Sequence, residues 1–187
     1  MPNPGGRWGA RSLAALALGV FLAAPAVAAK AKVFPAKGVK LSDYKTYHWE
    51  PIRVVTRQGV LEDDPEFAPM IKEAIRKQLA KKGYREVPSN GELKLLAAGL
   101  AEASSQLEGF LLRWGYDVYW GYGVAVATPV TRVNKAGTIV VNFVDAESGD
   151  GVWFGYATQA LVTGGNVKRT IEKAVGKLFK KVPRRKD

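Results

Sequence analysis

The chain has no cysteine. Disulfides, thiolate metal sites, a cysteine nucleophile and a lipid-modified N-terminal cysteine are therefore all excluded. Histidine is nearly absent too. His48 is the only one, so any Ser-His-Asp chemistry would have to run through it. There is no Gly-x-Ser-x-Gly, and Ser104-Ser105 sits in no catalytic context. No glycine-rich phosphate loop is present. The nearest segments, "RWGY" and "YWGYG", carry aromatics where small residues are needed. No apolar run reaches the roughly 20 residues that span a bilayer. The longest, Leu13 to Ala24, stops at Pro25.

That short run has a meaning of its own. It follows Arg7 and Arg11 and precedes Ala26-Val27-Ala28, a small-x-small cleavage pattern. Residues 1–28 read as a secretory signal peptide. The expectation is a periplasmic or secreted protein of a Gram-negative envelope. After cleavage it is expected to be soluble, with no transmembrane helix and no lipid anchor. Residues 29–183 are expected to form a single domain, followed by a basic tail, 184–187.

The formal charge is +11. Arg7 and Arg11 account for +2 of it, and the last 22 residues, from Asn166, carry +7. The remaining body is only +2, so the basic character is local. On a helical wheel of about 100° per residue, Val167, Ile171, Ala174, Val175, Leu178 and Val182 form one apolar stripe. Arg169, Lys173, Lys177 and Lys180 fall on another face, and Arg184, Arg185 and Lys186 extend it past Pro183. An exported protein meets little nucleic acid. Anionic lipid, lipopolysaccharide or an envelope protein is the expected partner.

Other elements are legible along the chain. "DYKTYHW" alternates as a strand ending at Pro51, with Tyr47 and Trp49 on one face. "IRVVTRQGVLEDD" reads as loop. Asp64 can cap a helix whose stripe is Ile71, Ile75 and Leu79 and whose stop is Gly83. "ELKLLAAGL" fits both a helix and a strand buried on two faces. Trp114, Tyr116, Tyr119, Trp120 and Tyr122 lie among glycines, either covering a core or forming a stacking surface for sugar rings. "GTIVVNFVDAESGDGVWFGYAT" is a hairpin, with Ile139, Val141 and Phe143 on one face of its first strand. Val152, Phe154 and Tyr156 are expected on one face of the second.

Three acids, Asp145, Glu147 and Asp150, crowd that hairpin's turn. A helix-loop-helix calcium site would need Gly at the sixth position and Glu at the twelfth. Counted from Asp145, those positions hold Asp150 and Tyr156. The acids therefore read as a solvated tip, with no metal and no cofactor expected.

The series "DYKTYHW", a helix ending in "KKGY", the long hairpin with Trp153 after its turn, and the closing "TIEKAVGKLFKKVP" resembles the domain of unknown function 4136 family of bacterial envelope proteins. The resemblance spans roughly 33–183. It implies an α+β, two-layer domain: an antiparallel sheet of about four to five strands with two helices on one face. It favours a strand for "ELKLLAAGL" and implies no activity and no catalytic residues. Family members are often anchored through a cysteine, which this chain lacks. The combined expectation is an exported, non-enzymatic envelope module that binds a protein or an anionic surface. The alternative is a small periplasmic hydrolase using His48 and a nearby carboxylate.

Overall fold

The computed structural model describes residues 30–56, 59–100, 137–159 and 165–185. Residues 1–28, read from sequence as a signal peptide, the aromatic cluster from Trp114 to Tyr122, and Lys186 lie outside the described residues. Among the described residues, eight strands, two α-helices and a short 3-10 turn at Leu41–Asp43 make an α+β arrangement. The strands are β1 (Lys30–Pro35), β2 (Thr46–Trp49), β3 (Arg53–Thr56), β4 (Gly59–Glu62), β5 (Arg85–Glu86), β6 (Leu93–Leu100), β7 (Thr138–Asp145) and β8 (Gly151–Thr158). The helices are α1 (Phe67–Ala80), between β4 and β5, and α2 (Val167–Phe179), after β8.

The sheet is larger than expected, and mixed rather than antiparallel. Its main path runs β1-β8-β7-β6-β2-β5. The first four of these pair antiparallel. β6 is long enough to take two partners on its other side. β2 runs parallel to its first half, at Leu93–Leu95, and β3 parallel to its second, at Ala98–Leu100. β4 folds back on β3, so "IRVVTRQGVLEDD" is a short hairpin and not a loop. Its strands are four residues each, too short for a period to stand out from the surrounding charges.

The ambiguous "ELKLLAAGL" is the central strand β6. Leu93, Leu95 and Ala97 join the main core with residues of both helices. Leu96, Ala98 and Leu100 join a second buried cluster with Val55, Val140, Val144 and Tyr156. Burial on both faces removes the polar alternation that marks a half-buried strand.

α1 begins as the sequence indicates. The Asp64 Oδ1 accepts from the backbone N–H groups of Glu66 (3.0 Å) and Phe67 (2.8 Å). It ends at Ala80, and the turn that follows closes at Gly83, whose φ of +89° suits a residue without a Cβ. Ile71, Ala74, Ile75 and Leu79 of α1, and Ile171, Ala174, Val175 and Leu178 of α2, are buried against the sheet. The two helices lie side by side and run the same way. Lys168 at the start of α2 pairs with Glu73 of α1 at 3.1 Å. Lys82, just past the end of α1, donates to the Val182 carbonyl, just past the end of α2, at 2.6 Å.

One face assignment fails. Val152 belongs to the helix-side core, whereas Phe154 and Tyr156 pack on the other face. Phe143 pairs with Trp153 but Val144 pairs with Gly151, which leaves Val152 without a partner across the ladder. A bulge of this kind re-aims one side chain.

Candidate functional site: a basic helix face

The side chains singled out in the sequence divide into three groups by what they touch. The first is the hairpin tip. Asp145 Oδ1 accepts from the backbone N–H groups of Glu147 and Ser148, both at 2.9 Å. Its Oδ2 accepts from the Tyr44 hydroxyl at 2.7 Å. These bonds favour the carboxylate form and hold Asp145 below the usual range, the Ser148 N–H contributing most. Burial, with the carboxylate beside it, pushes the Tyr44 hydroxyl up to about 12. Glu147 and Asp150 are exposed. Among the described residues no three His, Asp or Glu side chains converge on a common point. The tip thus carries one anchoring acid and two solvated ones.

A shallow depression beside the tip is lined by Lys40, Asp43, Tyr44, Glu92, Asp145 and Glu147. Glu92 is already engaged there. It accepts from the backbone N–H groups of Lys45 and Thr46, while its own N–H donates to the Thr46 hydroxyl. The Lys45 contact is the main reason its carboxyl is held low. This acid ties β2 to the entry of β6.

The second group is His48. Its Nδ1 accepts from the Gly91 N–H at 3.1 Å, and among the described residues no hydrogen bond joins its ring to a carboxylate. The nearest strongly perturbed acid network lies elsewhere. Glu86 takes two bonds from Arg76, at 2.6 and 2.7 Å, and one from the Tyr47 hydroxyl at 3.3 Å. The Arg76 guanidinium is the main cause of its low value, about 2. That network pins α1 to β5 and β2.

The third group is the basic row. Arg169, Lys173, Lys177 and Lys180 are all exposed, as are Lys181 and Arg184. Among the described residues none of these six forms an ion pair. Lys168 does, with Glu73. The tail is not loose at its start: the Arg185 N–H donates to the Lys82 carbonyl at 3.0 Å, and its side chain is half-buried. Burial, then the positive charge of Arg184, lowers the Lys82 ammonium from its usual value. Cations therefore crowd where the two helices end. No spacing rule reveals this, because α1 and its tail lie about 100 residues before Val182.

Two physical costs accompany the row. Arg169, Lys173 and Lys177 stand four residues apart in α2, and like charges at that spacing disfavour a helix by about 0.2–0.5 kcal/mol per pair. Lys168 and Arg169 also sit in the first turn, which holds no acid and where the helix dipole disfavours cations. Cations near Lys177 complement the other end of the dipole. Those at the start of α2 do not.

No curated protein sequence matches the chain. A crystal structure of a DUF4136 family protein from Bacteroides thetaiotaomicron is similar, with a TM-score of 0.60 and 19% identity. The match covers 81% of this chain and 94% of that one. A PDZ domain protein from Parabacteroides distasonis matches with a TM-score of 0.52 and 13% identity, over 86% of this chain and 37% of that one. A PelC dodecamer from Paraburkholderia phytofirmans matches with a TM-score of 0.50 and 13% identity, over 84% and 99%. At these identities the likeness is one of fold. The model of "Domain of unknown function (DUF4136)" matches residues 34–184, most of the chain, and the chain therefore belongs to that family.

Proposed function

We propose that this is an exported, non-enzymatic module of the bacterial envelope that docks on anionic surfaces through the outer face of α2. The observation that carries the reading is the unpaired row Arg169, Lys173, Lys177 and Lys180, continued by Lys181 and Arg184. It runs the full helix, including the first turn, at a cost to helix stability. A face needed only for solubility would interleave acids at these spacings. Glu172 is the single acid of α2. Basic residues close to an anionic membrane contribute about 1 kcal/mol each, so four to six make a salt-sensitive, reversible contact.

The non-enzymatic side is supported by the engagement of His48, Glu86, Glu92 and Asp145 in bonds that hold strands and turns together. Export is supported by residues 1–28. N-terminal sequencing of protein made in a Gram-negative host should start at or near Ala29, and intact Met1 in the membrane fraction would contradict it.

Docking is tested by vesicle co-sedimentation across a salt series, comparing neutral vesicles with vesicles of about 20% anionic lipid, a moderately charged leaflet. Binding should require the anionic lipid and fade as salt shortens the screening length. Reversing Arg169, Lys173, Lys177 and Lys180 to Glu should abolish it with the circular dichroism unchanged. Equal binding to both vesicle types, or none to either, refutes the proposal.

A further inference from the structure

Among the described residues three strands have a single partner: β1, β4 and the two-residue β5. The two longer ones are of opposite character. β1 and β4 each have one partner among the described residues, β8 and β3 respectively. β4 exposes Val60 (41%) and Leu61 (43%), neighbours in sequence that point to opposite faces of the strand. Two large apolar side chains on an edge with no second partner among the described residues are a standing invitation to further strand pairing. The stretch behind them is acidic. Glu62, Asp63 and Glu66 are exposed, with Asp64 half-buried, and Arg53 offsets one of these charges through its 3.1 Å pair with Glu62.

β1 carries the opposite charge. Lys30 and Lys32 are exposed on it, Lys37 and Lys40 follow, and no acid lies between residues 30 and 40. The two edges also run in the same direction. β1 is antiparallel to β8, β8 to β7, and β7 to β6; β3 is parallel to β6 and β4 antiparallel to β3. A second copy placed beside the first in the same orientation thus presents β1 alongside β4 as a parallel pair.

We infer that this chain associates head to tail with further copies of itself, the β4 edge of one joining the β1 edge of the next. The charge pattern selects this arrangement over a two-fold one. Two β1 edges would oppose lysines to lysines, and two β4 edges would oppose acids to acids, which is repulsive in both cases. The joint is heterologous, so it does not stop at two: it closes into a ring or extends as a filament. β4 offers only four residues to the seam, so association depends on concentration.

The test is sedimentation velocity on the chain recovered after export from a Gram-negative host, over a range of concentrations. Two variants are compared with it: Val60→Ser with Leu61→Ser, and Lys30→Glu with Lys32→Glu. All four positions are exposed, and circular dichroism checks that each variant stays folded. The unaltered chain should form species larger than a dimer. Each variant alone should be monomeric, its association weakened about tenfold or more, because one of its two edges is spoiled. Mixed in equal amounts, the variants should form a one-to-one dimer that grows no further, since each supplies the edge the other lacks. A monomeric parent chain, a single variant that still assembles, or a mixture that stays monomeric would each overturn the inference. Because the row on α2 is untouched in both variants, vesicle docking reports on the proposed function separately.

Discussion

Trp153 and Gly155 provide the sharpest test of the packing. Trp153 is 2% exposed, with its ring 5.6 Å from that of Phe143 in an edge-on arrangement. A Cβ at Gly155 would lie 2.6 Å from the far edge of the Trp153 ring and 2.9 Å from Leu178 Cδ1. The indole therefore fills the space that a side chain at 155 would take, between the sheet and α2. Truncating a buried aromatic to Ala costs about 3–5 kcal/mol through lost transfer energy and the cavity left behind. A domain of this size is stable by only about 5–15 kcal/mol, so Trp153→Ala should lower the melting temperature on the order of 10 °C. Gly155→Ala should cost about 1–3 kcal/mol by overpacking. In the double variant the new methyl enters the cavity that the indole vacates. The double variant should be more stable than the sum of the single effects predicts, by about 1 kcal/mol or more, as for other pairs in contact. Urea unfolding followed by far-ultraviolet circular dichroism gives all three values. Strict additivity, or a cost for Trp153→Ala below about 1 kcal/mol, would refute this account of the core.

The tip should respond unevenly. Tyr44→Phe removes a charge-assisted bond to Asp145 and should cost about 1.5–3 kcal/mol, while Glu147→Ala with Asp150→Ala should leave the urea midpoint nearly unchanged; equal effects would show that all three acids act together. The Arg76–Glu86 pair should give a pH signature. Glu86 titrates lower in the folded chain than in the unfolded one, so its stabilisation is full above the unfolded carboxyl range and is lost as pH falls toward about 2. Arg76→Ala should flatten that acid limb of a stability–pH curve, and an unchanged slope would exclude the pair as its source.

How far the sequence reached depends on the range over which each signal acts. Local signals held. The Asp64 cap, the Gly83 stop, the stripe of α2 and the β7–β8 turn depend on residues within a few positions of one another, and so do the side-chain directions of β7. The bulge at Val152 is the exception, since a register shift is defined only by the opposite strand. The exposed basic row was likewise readable, because a helix with one apolar stripe must turn its other faces outward.

Pairing across the chain was not readable. The identity of β6 as a central strand depends on what covers each of its faces. Its two partners on one side, β2 and β3, follow from its eight-residue length meeting two four-residue strands, which no pattern inside "ELKLLAAGL" encodes. The sheet is mixed because the chain crosses over through α1 before returning as β5 and β6, with β5 parallel to β2 and β6 parallel to both β2 and β3. Asp145 looked like one of three equivalent acids until Tyr44, 101 residues away, was brought within 2.7 Å of it. The convergence of Lys82 with Arg184 and the opposite charges of the two sheet edges arise in the same way. Residue types and local periods set which faces are apolar and where elements start and stop. Only the packed fold decided which of them meet, because contacts between residues distant in sequence come from shape and burial shared by the whole chain.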